Sequence, residues 1–311
     1  MFFSFPKPNY FALFVTMIDS KKHNIHDTER TINNSRYVGR IVLAIVITML
    51  VVIVLRILVF ASFRIPSFSM EPTLFAGDFI LVNKLIPGPR IDFLGSSKDG
   101  RPFRLTGYRA IKRNQVLVFN DPYYKSKQIV KNWNVYHVKR CVGIPGDTLV
   151  IHNGAYYLNG QLNKFGDGIY ANDGQRALYM SPRAYAPKMF KALGWTIDDF
   201  GPIYIPRKGD IITLDTANIN LYRRIIEYET GKKLIEIDGG IFSLDGHASR
   251  QYQFDRNYYF MVGDNAMDSK DSRYWGLLPE DHIVGKVDYI WKSKDLGTNT
   301  YRFERFFKPV E

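Results

Sequence analysis

Ile41-Val-Leu-Ala-Ile-Val-Ile-Thr-Met-Leu50-Val-Val-Ile-Val-Leu55-Arg56-Ile-Leu-Val-Phe60-Ala-Ser-Phe63 decides how the rest of the chain is arranged. From Ile41 to Leu55 fifteen residues carry no charge, and after Arg56 seven more follow before Arg64. As a helix this run would be about 34 Å long, at about 1.5 Å per residue, enough to cross a hydrocarbon core. Arg56 is tolerable near one end, because its long stem lets the guanidinium reach the headgroups. The near-absence of polar residues favours a membrane span over a buried core helix.

The flanks orient the span. Lys21, Lys22, Arg30, Arg36 and Arg40 precede it, whereas Arg64 and Lys84 are the nearest basic residues beyond it. The positive-inside rule then places the N-terminus in the cytoplasm and everything after Phe63 outside. Residues 1–40 read as a cytoplasmic tail. Its apolar stretch Phe11–Ile18 is too short to cross, and Asp19, Lys21 and Lys22 stand where a signal peptide would carry small residues.

A length of 311 residues admits two domains, or one with a large insertion. The hydrophobic content of 46% and aromatic content of 15% are those of a folded chain. The formal charge of +12 comes without a dense Lys/Arg tract or a nucleic-acid motif. It reads as the basic excess of a protein facing anionic lipid, with the bilayer and not nucleic acid as partner. Cys141 is the single cysteine, which excludes an internal disulfide and a cysteine-based zinc site.

Beyond the span the pattern is β. Strands are predicted at Phe79–Val82, Gln115–Phe119 and Tyr136–Val142. In the last, Tyr136, Val138, Arg140 and Val142 share one face while His137, Lys139 and Cys141 share the other. Thr148–Ile151 and Ala155–Leu158 form a hairpin closed by Asn153-Gly154 and left through Asn159-Gly160. Between about residues 161 and 250 the chain is richer in loops. Short strands at Ile203–Ile205 and Asp210–Leu214 are followed by a helix over about Ala217–Thr230. That helix carries the apolar stripe Leu221, Tyr222, Ile225 and Ile226, is capped by Asn218 or Thr216, and is stopped by Gly231. Strands resume at Asn257–Val262 and Val284–Trp291, with a polar loop from Gly263 to Gly276 between them. The expected fold is mainly β: an N-terminal transmembrane helix (41–63), an antiparallel β catalytic domain (64–160 and 251–311), and an inserted α+β cap (161–250).

The span leads into Ile65-Pro-Ser67-Phe-Ser69-Met70-Glu-Pro72-Thr73-Leu74, which holds two hydroxyls two residues apart. Serine attacks a carbonyl only if a base takes its proton and something stabilises the oxyanion. Of the six histidines, His23 and His26 lie in the tail and His152, His247 and His282 in turns or loops. A lone strand histidine such as His137 is more often structural than basic. Lysine can serve if burial, without a carboxylate partner, lowers its ionisation from about 10.4. Lys139, flanked by Val138 and Cys141, can be desolvated in that way. The loop after Val262 offers Ser269 and Ser272, with Asp271 and Arg273 as an ion pair. Asp264, Asp268 and Asp271 do not have EF-hand spacing.

Three segments together resemble one family. Ser67-Phe-Ser69-Met70-Glu-Pro72-Thr73-Leu74, Lys139-Arg140-Cys-Val-Gly143-Ile-Pro145-Gly146-Asp147 and Gly263-Asp264-Asn265-Ala-Met-Asp-Ser269-Lys-Asp271-Ser272-Arg273-Tyr274-Trp275-Gly276 are similar to the signature boxes of bacterial type I signal peptidases. Gly77-Asp78-Phe-Ile-Leu-Val fits a further box, and the order and the upstream span match. The resemblance covers the span, 65–84, about 136–160 and about 257–291. It implies a membrane-bound endopeptidase that removes signal peptides from exported preproteins with a Ser/Lys dyad and no cofactor or metal. It makes Ser69 the nucleophile and Lys139 the general base. The oxyanion hole falls to the Ser67 hydroxyl and the Ser69 backbone N–H, Ser269 orients Lys139, and Asp271 with Arg273 supports the loop. The preproteins it implies end their signal peptides in small residues, bound extended against a strand edge. Two departures stand out: Ala266-Met267 replaces an Arg-Asp pair, and Phe68 replaces a smaller residue between the serines. The alternatives are a self-cleaving Ser/Lys protease, which needs no anchor, and a membrane-anchored non-enzymatic β-rich binding or assembly protein. The last predicts Ser69 and Lys139 to be more than about 5 Å apart.

Overall fold

The computed structural model describes residues 37–91, 102–122, 129, 134–163, 193–238 and 241–311. The expected tail up to residue 36 and residues 164–192 of the expected cap lie outside the described residues. The chain divides into two units, residues 1–56 and 57–311.

The apolar run forms helix α1 (Tyr37–Leu58), 22 residues with a mean hydropathy of 3.2 over its best window and no part of that window buried. It is long and apolar enough to cross a membrane. It stops at Leu58, which corrects the expected end at Phe63. Lys84 takes up the carbonyls there, with Nζ donating to Ile57 O (3.1 Å) and its backbone N–H to Val59 O (2.8 Å). The last four residues of the run, with Arg64, are instead β1 (Phe60–Arg64), paired antiparallel with the next strand through Phe63↔Ile80. Ala61 and Phe63 pack inward while Phe60, Ser62 and Arg64 face out. The period thus changes from 3.6 to 2 inside one apolar run, and a sum of hydropathy does not register that change.

The strands continue as β2 (Asp78–Asn83), β3 (Val116–Asn120), β4 (Tyr136–Gly143), β5 (Thr148–His152), β6 (Ala155–Leu158) and β7 (Gln161–Leu162). Then come β8 (Phe200–Tyr204), β9 (Ile211–Thr213), β10 (Leu234–Asp238), β11 (Ile241–Leu244), β12 (His247–Ser249) and β13 (Gln251–Gln253). The last are β14 (Tyr258–Val262), β15 (Leu278–Pro279), β16 (Ile283–Ser293) and β17 (Lys308–Pro309). The main sheet has the order β1-β2-β16-β3-β4-β14-β15, with β17 against β16. Every pairing among the described strands is antiparallel.

A second sheet, β7-β6-β5-β8, contains the expected hairpin. Asn153 and Gly154 both take positive φ (48° and 71°), the backbone that a tight primed turn needs. The expected boundary at residue 160 falls inside this sheet, because β7 and β8 pair back onto β6 and β5. Helix α2 (Ile219–Thr230) buries Ile219, Tyr222, Ile225 and Ile226 and ends at Gly231 with φ of 67°. It begins two residues later than expected. Asp215 Oδ1 accepts the Ala217 and Asn218 N–H groups, holding them in a turn, and Asn218 makes no capping bond with its side chain. The buried face of α2 shares one hydrophobic cluster with Val142 of β4 and Phe260 and Val262 of β14, so the cap does not have a core of its own.

Strand β3 is buried on both faces. Val116 and Val118 join Met70, Leu74, Ile80 and Val287, whereas Leu117 and Phe119 join Cys141, Met261 and Trp275. Leu117 pairs with Lys139 in the β3–β4 register. The sheet therefore places that lysine on the face of Leu117, Phe119 and Cys141.

Candidate active site

Ser69 sits in a short series of turns. Glu71 N–H donates to Phe68 O (3.0 Å) and Leu74 N–H to Met70 O (2.8 Å), while the buried Met70 and Leu74 side chains anchor the segment from below. Its base is closed by Ile65 N–H to Asp78 O and Gly77 N–H to Ile65 O, both 2.8 Å. Lys139 reaches the same point from β4. Its Nζ donates to Ser69 Oγ at 2.5 Å, and the residue is 4% exposed. Burial pushes its ionisation below the ordinary lysine value; the Asp271 charge pulls it back up and the Arg273 charge pushes it further down.

The loop after β14 forms the third wall. Val262 pairs with Arg140, which carries Gly263 alongside Ser69. A Cβ on Gly263 would lie 2.2 Å from Ser269 Oγ and 2.5 Å from Ser69 O, so only glycine lets the three segments meet. Asn265 then ties the loop to the serine segment, its backbone N–H donating to Ser69 O (3.1 Å) and its Nδ2 to Phe68 O (3.3 Å). Neither bond was legible in the motif.

Asp271 is completely enclosed and accepts five hydrogen bonds: from Ser269 Oγ (2.7 Å), from Gly263 N–H (3.0 Å), and from Arg273 through Nε (2.9 Å), Nη2 (2.8 Å) and its backbone N–H (3.2 Å). Arg273 Nη2 also donates to Ala266 O (2.7 Å), and α3 (Ser272–Trp275) follows directly. The carboxylate whose charge acts most on the lysine is thus already paired. The expected bond from Ser269 to Lys139 is not among the described contacts. The Ser269 proton goes to Asp271, because a buried carboxylate is the stronger acceptor and lies two residues away. The oxygen lone pairs of Ser269 remain for an incoming N–H.

Of the other expected residues, Ser67 is exposed, and the backbone N–H of Ser69 has no acceptor among the described residues. Phe68 is 56% exposed, while its own carbonyl is held by Glu71 N–H and Asn265 Nδ2. His137 pairs with Asp121 and His152 with Asp199, while His282 is buried and pushed down to about 4 by desolvation. None of them bonds to Ser69 among the described contacts.

Sequence reasoning missed a second buried ion pair. Arg140 donates to Asp264 through Nε (2.8 Å) and Nη2 (2.7 Å), and the Thr73 hydroxyl donates to Asp264 Oδ2 (2.5 Å). One carboxylate therefore joins the base-bearing strand, the nucleophile segment and the loop. An arginine on the same strand face as Val138 and Val142 was the available signal, since a buried guanidinium requires an anion.

Residues 38–292 match the model of one family, described as signal peptidase, peptidase S26. The chain belongs to this family. Among curated relatives, the signal peptidase I of Buchnera aphidicola subsp. Baizongia pistaciae is 29% identical over 253 residues, 78% of this chain and 73% of that protein. The signal peptidase I of Pseudomonas aeruginosa is 29% identical over 255 residues, covering 78% and 68%. That of Helicobacter pylori J99 is 27% identical over 284 residues, covering 85% and 90%. A solved signal peptidase I from Enterococcus faecalis V583 shares 17% identity at a TM-score of 0.29, covering 58% of this chain and 97% of that one, a likeness too slight to bear on the fold. Within the S26 family, a separation of 2.5 Å between Ser69 and Lys139 is at odds with the non-enzymatic alternative, which needs them more than about 5 Å apart.

Proposed function

We propose that this membrane-anchored signal peptidase cuts preproteins with Ser69 as nucleophile and Lys139 as general base. The observation that carries the reading is the buried 2.5 Å contact between Lys139 Nζ and Ser69 Oγ. As a free amine, Lys139 takes the Ser69 proton along that contact as Oγ attacks the scissile carbonyl. The Ser69 N–H and the Ser67 hydroxyl receive the oxyanion. Lys139 then gives the proton to the leaving amine, and later activates the water that hydrolyses the acyl-enzyme. Ser269, held by Asp271, offers its oxygen to the lysine, and the Asp271–Arg273 pair keeps the loop in place. Because Arg273 pairs with Asp271, the carboxylate that pulls hardest on the lysine is already occupied, and burial prevails.

The substrates are preproteins whose signal peptides end in small residues. They lie extended along β1, which ends the main sheet and runs directly into Ser67 and Ser69. Backbone hydrogen bonds to that edge give binding without demanding large side chains. The sign of the pH dependence follows from the lysine. Its ionisation is lowered, so the active free amine accumulates as pH rises through a value below the usual lysine range. Purified enzyme given a preprotein should therefore show kcat/KM rising with pH to a plateau reached before about pH 10.4. A flat profile between about pH 5 and 9 contradicts a lysine base.

The basic residues before α1 support an N-terminus in the cytoplasm and a catalytic region outside, anchored by one pass in the cytoplasmic membrane. Reporter fusions after Gly77 should be active on the outer side only. Activity on the cytoplasmic side reverses the orientation.

A further inference from the structure

The family match ends at residue 292, yet the chain beyond it closes onto the nucleophile segment. Lys294 N–H donates to Gly77 O (3.1 Å), and a Cβ on Gly77, whose φ is +95°, would lie 1.9 Å from Lys294 O. Asp78, completely buried, accepts Arg305 Nη2 (2.6 Å), Arg305 Nε (3.1 Å), the Ser293 hydroxyl (2.6 Å) and the Phe75 N–H (2.8 Å). Arg305 Nη2 also donates to Thr73 O (3.0 Å), and Arg302 Nη1 donates to Ala76 O (3.1 Å). Both guanidinium groups lie over the Phe75 ring, at 4.4 Å and 5.8 Å. The Gly77-Asp78 pair thus has a physical reason. The glycine admits the returning backbone and the aspartate receives its arginine.

We infer that Arg305, with Arg302 beside it, is a positioning residue that holds the Ser69 segment against Lys139 from outside the family-matched region. The inference rests on the dyad reading above. Thr73 is the joint. Its carbonyl is held by Arg305 and its hydroxyl by Asp264, and it lies four residues from Ser69, next to the Leu74–Met70 turn bond. Only a planar fork can serve two carboxylate oxygens and a carbonyl together, so lysine is a poor substitute. A displacement of about 1 Å at a reacting group can cost on the order of 10²-fold in rate. Loosening this joint therefore acts on the chemical step more than on substrate binding.

The test uses the full-length enzyme in detergent, with Arg305→Lys and Arg305→Met measured against wild type on one preprotein, well below their unfolding temperatures. We expect kcat to fall about 10-fold for the lysine variant and about 100-fold for the methionine variant, with KM within about threefold. The acidic limb of the pH profile should move to higher pH as Lys139 becomes less enclosed. If the methionine variant does not fold, the lysine variant decides. A kcat within twofold of wild type overturns the inference, as does a loss that tracks the unfolded fraction while the pH limb stays fixed. If wild-type enzyme cleaves no preprotein and Ser69→Ala is indistinguishable from it, the dyad reading fails first and takes this inference with it.

Discussion

Replacing Ser69 by alanine, Lys139 by methionine, or both together is expected to lower kcat for preprotein cleavage by one common factor of about 10⁴–10⁶. The two groups act as a unit. Lys139 is the only side-chain partner of Ser69 Oγ among the described contacts, and its amine is buried where no solvent base replaces it. Once either is gone, the other has nothing to act on, so the double variant should be no worse than the worse single one. Methionine keeps the length of the lysine stem on the apolar face shared with Leu117 and Cys141. The Lys139→Met variant should therefore be inactive and yet at least as stable as wild type. At neutral pH the unfolded chain carries Lys139 charged and the folded chain disfavours that charge, so folding is penalised until pH approaches the unfolded value of about 10.4. Removing the amine removes that penalty. Kinetics and thermal melts of the three variants check both halves. Losses that multiply between the single variants, or near-normal turnover without Lys139, would rule out the dyad.

The contact between Ser69 and Lys139 was legible through the resemblance of several segments to one family, and not from either residue alone. Ser69 follows a span and a proline, and Lys139 stands in a strand beside Val138 and Cys141 but also beside Arg140. Strand positions and the Asn153-Gly154 hairpin were legible more directly, since period-2 alternation and Asn-Gly turns are written into consecutive residues. The end of α1 was not, because Phe60–Phe63 is apolar for a sheet face and not for lipid, and composition is the same in both cases. The role of Ser269 was only half legible. Its hydroxyl was placed correctly in the loop, but the choice between Asp271 and Lys139 depends on which acceptor is nearer after folding. Least legible were the long-range joints. Thr73 meets Asp264 across 191 positions and Arg305 across 232, and no periodic pattern encodes such a pairing.

The second large effect concerns one of those joints. Asp264→Ala is expected to destabilise the folded chain by about 3–5 kcal/mol, because it leaves the Arg140 guanidinium buried without its anion. Both side chains are almost wholly enclosed, at 3% and 1% exposure, so water cannot substitute. Arg140 Nη1 keeps its bonds to Asn114 O and Glu311 O, but Nε loses its bond, Nη2 retains only the Thr73 hydroxyl, and that hydroxyl loses its acceptor. For a unit of this size the loss corresponds to roughly 6–20 °C in Tm, at about 2–4 °C per kcal/mol. A breaking penalty of this kind is mostly the cost of the orphaned charge and not the worth of the pair. The double variant Asp264→Leu with Arg140→Met should accordingly recover at least half of the lost Tm, while turnover stays low because the Thr73 hydroxyl remains untethered and only its carbonyl is held, by Arg305. A melt of Asp264→Ala within 2 °C of wild type, by the same scale of about 2–4 °C per kcal/mol, would show that the pair does not hold the loop. Full turnover in the double variant would show that the joint holds the fold without placing the nucleophile.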